Sequence, residues 1–235
     1  MAGSFVRRYR DDTSEPTKRS VARDIAIRGL LPALALLAIV YLVGEFVLPR
    51  EGVGNESVVN QQLQAGLTPT LDLLALAASQ LFGVIGAPLI AVVAVVVLWL
   101  TTRQWWLALV PLVAVALEAL VYQTAALLVA RARPEGVEQM DFGLPEASFP
   151  SGHVGATVCL MAVFTLLALA SDKPRWVPVA WAVAGVVAVV CVGASRLYLG
   201  MHHVSDLVAG LLIGLISAVI GWLVIRRHPG RGAAS

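Results

Sequence analysis

Charge is what this sequence has least of: Lys, Arg, Asp and Glu together make up 14% of 235 residues, whereas 58% are hydrophobic. A soluble domain of this size carries more charge, and a mean hydropathy of +0.81 points to an integral membrane protein. The net charge of +2 is small and the basic residues lie at the ends and in loops, which argues against a nucleic-acid surface. Cysteine is scarce too. Cys159 and Cys191 fall inside apolar runs without zinc-type spacing to histidine, so they read as small core residues, not as a disulfide or metal site. No Asp/Glu cluster has metal-ligand spacing, and no metal or other cofactor is expected.

What the chain does have is a series of apolar runs long enough to cross a bilayer. Residues 1–28 read as a basic cytoplasmic tail, disordered or lying on the membrane surface. Residues 29–47 form a first anchor. Residues 48–70 are a polar connection in which Val58, Val59, Leu63 and Leu67 trace the weak stripe of an interfacial helix. Residues 71–100, punctuated by Gly83, Gly86 and Pro88, lie first at the interface and then cross. Trp105 and Trp106 read as an interfacial aromatic belt, opening a third span that reaches about Ala130. Further spans are expected at 153–170, 177–192 and 207–225. The architecture is therefore an all-α, six-span membrane domain over residues 29–226, followed by a second cytoplasmic tail at 227–235. If both tails and the second and fourth connections are inside, only Arg50, Arg131, Arg133 and Arg196 of the 17 Lys and Arg are outside. That bias predicts cytoplasmic termini in a plasma (inner) membrane and functional loops on the extracytoplasmic face.

Three polar clusters fall on that face. Residues 195–206 place Arg196, His202 and Asp206 between two apolar runs, where ionisable groups are costly. If this stretch is helical, Asp206 shares a face with His202 and can hold the ring nitrogen that is not reacting. Residues 148–153 offer Ser151 as a helix N-cap, Gly152 for close approach to an anion, and His153 in the first turn. Residues 131–134 close the third span with Arg131, Arg133 and the helix-stopping Pro134. Taken singly, each cluster also fits an anchor in the lipid headgroups. Together they suit a phosphomonoester or pyrophosphate. In that case the arginines and helix N–H groups neutralise phosphate oxygens, His202 attacks phosphorus, Asp206 stabilises the imidazolium, and His153 protonates the leaving oxygen and then activates water.

These residues resemble the membrane type 2 phosphatidic acid phosphatases, relatives of bacterial acid phosphatases and vanadium haloperoxidases. The family signature Pro-Ser-Gly-His is complete at Pro150, Ser151, Gly152 and His153, and Ser-Arg-x5-His-x3-Asp is complete at Ser195, Arg196, His202 and Asp206. The third signature, Lys-x6-Arg-Pro, keeps Arg133 and Pro134 but has Ala126 at the lysine position. The resemblance implies a phosphohistidine on His202, general acid His153, and phosphate ligands Arg133, Ser151, Gly152 and Arg196. Arg131 or Gln123 is a candidate to compensate for the missing lysine, a loss of roughly 10²- to 10³-fold in rate if nothing does. The expected substrate is a lipid phosphate or pyrophosphate (an isoprenyl pyrophosphate, phosphatidylglycerol phosphate or phosphatidate) whose tail stays among the membrane lipids. A lipid phosphotransferase and a catalytically impaired lipid-phosphate binding or transport protein remain alternatives. Glu45 and Glu118 lie inside spans and stay outside the site, and His203 reads as a neighbour of the nucleophile.

Overall fold

Every regular element among the described residues is a helix. The structure, a computed structural model, describes residues 9, 12, 14–49, 53–66, 68–83, 85–141 and 147–225. Arg50 and Leu67, most of the first eleven residues of the N-terminal tail and all of the tail at 227–235 lie outside that set.

Helix α1, Lys18–Phe46, is one 29-residue rod. It starts inside the stretch read as a tail, with Thr17 as N-cap accepting from the Ser20 N–H. Its turns over Ile25–Leu30 are π-helical and run directly into Pro32. Proline lacks an N–H and crowds the carbonyl four residues back, so a widened turn there keeps the rod continuous. α2 (Glu56–Gln64) is the expected interfacial helix, and α3 (Pro69–Leu81) with α4 (Gly86–Thr102) is the punctuated run, the two bent by 48° at the break. α5 (Trp105–Val129), α6 (Gly152–Leu169), α7 (Trp176–Tyr198) and α8 (Val204–Ile225) complete the chain. Five of these helices are long and apolar enough to cross a membrane, and the bent α3–α4 pair makes a sixth. The exposed Val92, Val93, Val96 and Val97 of α4 and Val179, Val183, Val186 and Val190 of α7 are lipid-facing surface in such a protein.

α5, α6 and α8 form the centre, with α1 packed on α5 and α7 on α6. α6 and α8 meet almost backbone to backbone. A Cβ on Gly214 would lie 2.3 Å from the Gly155 carbonyl oxygen, and one on Gly210 would lie 2.3 Å from that of Ser151. Small residues four apart permit this approach. It lets the Ser151 N–H donate to the Asp206 carbonyl at 3.0 Å, so the polar N-terminal ends of both helices share one place.

Three further expectations change. α7 runs on to Tyr198 and carries Ser195 and Arg196 as helical residues, while α8 begins only at Val204, leaving His202 in the turn before it. α2 turns Val58, Val59 and Leu63 outward and buries Asn60, because Asn60 finds backbone carbonyls to bond on the inner side. Trp106 is buried and not part of a lipid-facing belt: its indole N–H donates to Asp12 at 3.4 Å, and Gln104 Nε2 donates to the Tyr9 carbonyl at 2.8 Å, tying the N-terminal segment over it.

Candidate active site

The three clusters converge at one end of the bundle. Ala130 ends α5 in a left-handed conformation, its N–H donating to the Ala126 carbonyl, and turns the chain so that Arg131 and Arg133 follow. Ser148, after the loop, donates its N–H to the Arg131 carbonyl at 2.9 Å and its hydroxyl to the Ala132 carbonyl at 2.7 Å. The loop is thereby pinned to the end of α5 just before Ser151 opens α6.

His202 is buried, and its Nδ1 lies 2.5 Å from the Ser148 carbonyl oxygen. A carbonyl only accepts, so Nδ1 carries the proton and the Nε2 lone pair is free to react. Burial, together with the nearby charges of Arg196, His153 and Arg133, holds the His202 pKa well below the usual histidine value, against the opposing pull of the Ser148 carbonyl. The ring is therefore neutral at pH 7, as a nucleophile requires. Arg133 lies beside it, with Nη1 3.0 Å from Met201 Sδ.

Arg196 is buried at the end of α7, where Nη1 donates to Ser79 Oγ on α3 at 2.7 Å and to Asp141 Oδ2 at 2.5 Å. Its Nε is buried without a partner. Ser151 sits at the N-cap of α6, yet its hydroxyl makes no capping bond and is buried without a partner. A helix N-terminus, a free hydroxyl, an arginine held by a carboxylate and two histidines make an anion site with donors in reserve.

The expected His202–Asp206 pair does not form. With His202 outside the helix, Asp206 accepts from the His203 N–H at 2.7 Å and lies 3.3 Å from His203 Nδ1. Reaching back from the first turn to the residue that precedes the helix, it acts as the acidic half of a capping box. Its other oxygen pairs with Arg131 Nη1. Arg131 is fully engaged: Nε donates to the Pro49 carbonyl at 3.1 Å, Nη1 to Ser205 Oγ at 2.8 Å, and Nη2 lies 3.5 Å from Glu56. It therefore faces the protein interior, not a phosphate. Gln123, the other candidate to compensate for Ala126, lines a cavity beside His153, and Ala126 itself is buried.

Sequence reasoning missed Ser148, Asn60, Ser79, Asp141 and Glu56. Asn60 Nδ2 donates to the carbonyls of Leu197 at 2.8 Å and His202 at 3.1 Å, fixing the turn that carries His202. Glu56 accepts from the Ser205 N–H at 2.7 Å and hydroxyl at 2.9 Å. Burial raises the Glu56 pKa, but the Val53 and Ser205 bonds and the Arg131 charge outweigh it, leaving the carboxyl below its ordinary value. Asn60 and Glu56 lie on a short helix that is polar along most of its length, Ser79 on α3, and Asp141 and Ser148 in the loop before α6, so no periodicity marks them as a group. Among the described residues no group of three or more His, Cys, Asp or Glu could hold a metal.

The sequence model of the PAP2 superfamily matches residues 107–229, which contain every member of these clusters. Phosphatidylglycerophosphatase B of Bacillus subtilis is 32% identical over 120 residues, 48% of this chain and 56% of that protein, so the match spans little more than half of the relative's length. The crystal structure of a transmembrane PAP2 type phosphatidylglycerolphosphate phosphatase from the same organism superposes with a TM-score of 0.62 at 19% identity, covering 83% of this chain and 91% of the other. At that identity the likeness is one of fold.

Proposed function

The chain belongs to the PAP2 superfamily, and from that premise we propose that it is a metal-independent membrane lipid phosphatase working through a phosphohistidine on His202. The observation that carries this reading is the His202 ring, held by the Ser148 carbonyl in the tautomer whose Nε2 is nucleophilic, among two arginines and a second histidine.

In the first step Nε2 of His202 forms a bond to phosphorus while the phosphorus–oxygen ester bond breaks, and His153 protonates the departing oxygen. In the second step water attacks phosphorus and gives its proton to His153. Inorganic phosphate leaves and His202 is restored. Arg133, Arg196, the Ser151 hydroxyl and the N–H groups of Gly152 and His153 hold the three equatorial oxygens. Arg131 and Asp206 stand one layer back: Arg131 anchors Asp206, and Asp206 fixes the start of α8. The substrate is a lipid phosphate or pyrophosphate whose headgroup reaches the site from the bilayer. The asymmetry of basic residues supports a site on the extracytoplasmic face with both termini cytoplasmic.

Phosphate release by the purified protein in detergent, with a chelator present, tests the chemistry. Release that persists with chelator and disappears in His202→Ala is expected; release that depends on added metal, or survives His202→Ala, rejects it. Ala126 favours one other reading, that of an impaired phosphatase retained for binding, and release seen only after Ala126→Lys would establish that one. For topology, Val137→Cys should react with a membrane-impermeant thiol reagent from outside, and protection would reverse the orientation.

A further inference from the structure

We infer that Glu118 and Gln123 line a leaving-group pocket beside His153, and that this pocket selects phosphate esters whose departing alcohol carries a further hydroxyl over diphosphates. The inference rests on the phosphatase reading. Phosphoryl transfer keeps nucleophile and leaving group roughly in line on opposite sides of phosphorus. With His202 attacking and His153 as the acid, the leaving oxygen lies on the His153 side. A cavity of about 50 Å³ opens there, bordered by His153, Glu118, Tyr122 and Gln123, and neither His202 nor Arg196 lines it. His153 Nε2 faces the break between α3 and α4, where a Cβ on Gly83 would lie 3.0 Å away. Gly83 and His153 together line the cavity, and a larger residue than glycine would crowd this nitrogen.

Glu118 is part of that lining, and one of its oxygens is unexplained. It is 2% exposed, and its Oε1 is buried without a hydrogen-bond partner. The fold makes room for it, since a Cβ on Gly155 of α6 would lie 2.3 Å from Oε1. A buried carboxyl oxygen with no partner is destabilising, and a native protein that retains one does so for a reason such as a functional role or a bound water or ion. Five residues along α5, Gln123 brings an amide to the exposed edge of the same cavity. The cavity has room for one or two groups the size of a water molecule, each about 30 Å³ in the liquid.

The chemistry of the lining decides between substrates. When a diphosphate is cleaved, the departing group is itself a phosphate, which needs cations or several donors. The described lining residues include no Lys or Arg, and the family's lysine position, two turns from Glu118 on the same helix, is Ala126. A polyol leaving group fits. Its second hydroxyl hydrogen-bonds Glu118 and Gln123, while its ester oxygen takes the His153 proton as the ester bond breaks, leaving a neutral alcohol.

The test compares kcat/KM of the purified wild-type protein for phosphatidylglycerol phosphate, for the analogue in which the free glycerol hydroxyl is replaced by hydrogen, and for an isoprenyl diphosphate. A site built to bind a hydroxyl rejects the analogue lacking it, here by about tenfold or more. The diphosphate should be poorer still, and Glu118→Met should shrink the hydroxyl preference to about threefold or less. Equal kcat/KM for the first two lipids, or an unchanged preference in Glu118→Met, overturns the inference. The wild-type comparison decides it even if the variant does not fold. Hydrolysis that requires His202 but ignores the hydroxyl removes only the pocket assignment. Absence of any His202-dependent hydrolysis removes the phosphatase reading and this inference together.

Discussion

Two arginine networks lie at the same end of the bundle, a few side chains apart, and they are built oppositely. Every nitrogen of Arg131 has a partner among Asp206, Ser205, Glu56 and the Pro49 carbonyl, and Glu56 in turn grips the start of α8. Arg196 is held by one carboxylate and one hydroxyl, with its Nε unpartnered, beside a serine hydroxyl that is also unpartnered. A closed network fixes geometry, because every buried charge already has its counterpart. An open one is less comfortable for the fold and ready for an anion. The comparison separates residues that build the site from residues that use it, although both sets are arginines and carboxylates from the same loops.

The largest effect should come from the open side. His202→Ala should lower kcat by roughly 10⁴-fold or more, with the melting temperature in detergent nearly unchanged; equal losses in rate and stability would erase the distinction. On the closed side the pattern should invert. Arg131→Met leaves Asp206 buried and uncompensated, and should cost about 3–5 kcal/mol in an unfolding titration, whereas a fully stable protein with weakened phosphate binding would return Arg131 to the site.

A third variant sharpens the contrast. In Asp141→Asn, Arg196 loses the carboxylate that competes with phosphate, and inhibition by inorganic phosphate should tighten by roughly tenfold to hundredfold, since a charged hydrogen bond contributes about 1.5–3 kcal/mol. Weaker inhibition would mean that Asp141 chiefly orients the guanidinium. Acid should act through His202 next. The unfolded chain takes up a proton near pH 6.5 that the folded His202, with its lowered pKa, does not. Stability contributed above pH 6.5 is therefore lost as pH falls below it, and His202→Gln should flatten that part of the curve. Glu56→Gln should have the smallest effect. The Glu56 pKa is lowered, so its contribution is present above about pH 4.5 and lost as pH falls through the folded value. For this partly buried group, whose side chain is 13% exposed, this amounts to about 1 kcal/mol.

The residues nearest the chemistry were legible because their types are expensive in a membrane and their spacing is distinctive. Arg133, Ser151, His153, Arg196 and His202 were singled out before any fold was known, and the helices bring them to one end. Asp206 and Arg131 were also found, but their partners were not. The i, i+4 argument for Asp206 assumed a helix through His202, and α8 starts two residues later. Arg131 looked free because its partners Glu56 and Pro49 lie more than 70 residues away in sequence. The apolar stripe of α2 misled in the same way: its weak periodicity carried no information about Asn60, whose bonding partners are carbonyls on a distant turn.

By itself, then, the sequence determined a helical, multi-span membrane protein and the residue types that gather at its candidate site. Apolar run length, proline and glycine punctuation, and the cost of buried charge are local properties of the chain. Only the tertiary structure decided which arginine is closed and which is open, which carbonyl sets the tautomer of His202, and that Glu118, with one oxygen unpartnered, shares a cavity wall with His153. Hydrogen-bond satisfaction depends on groups brought together from distant segments, and nothing along one stretch of chain records where those groups come to rest.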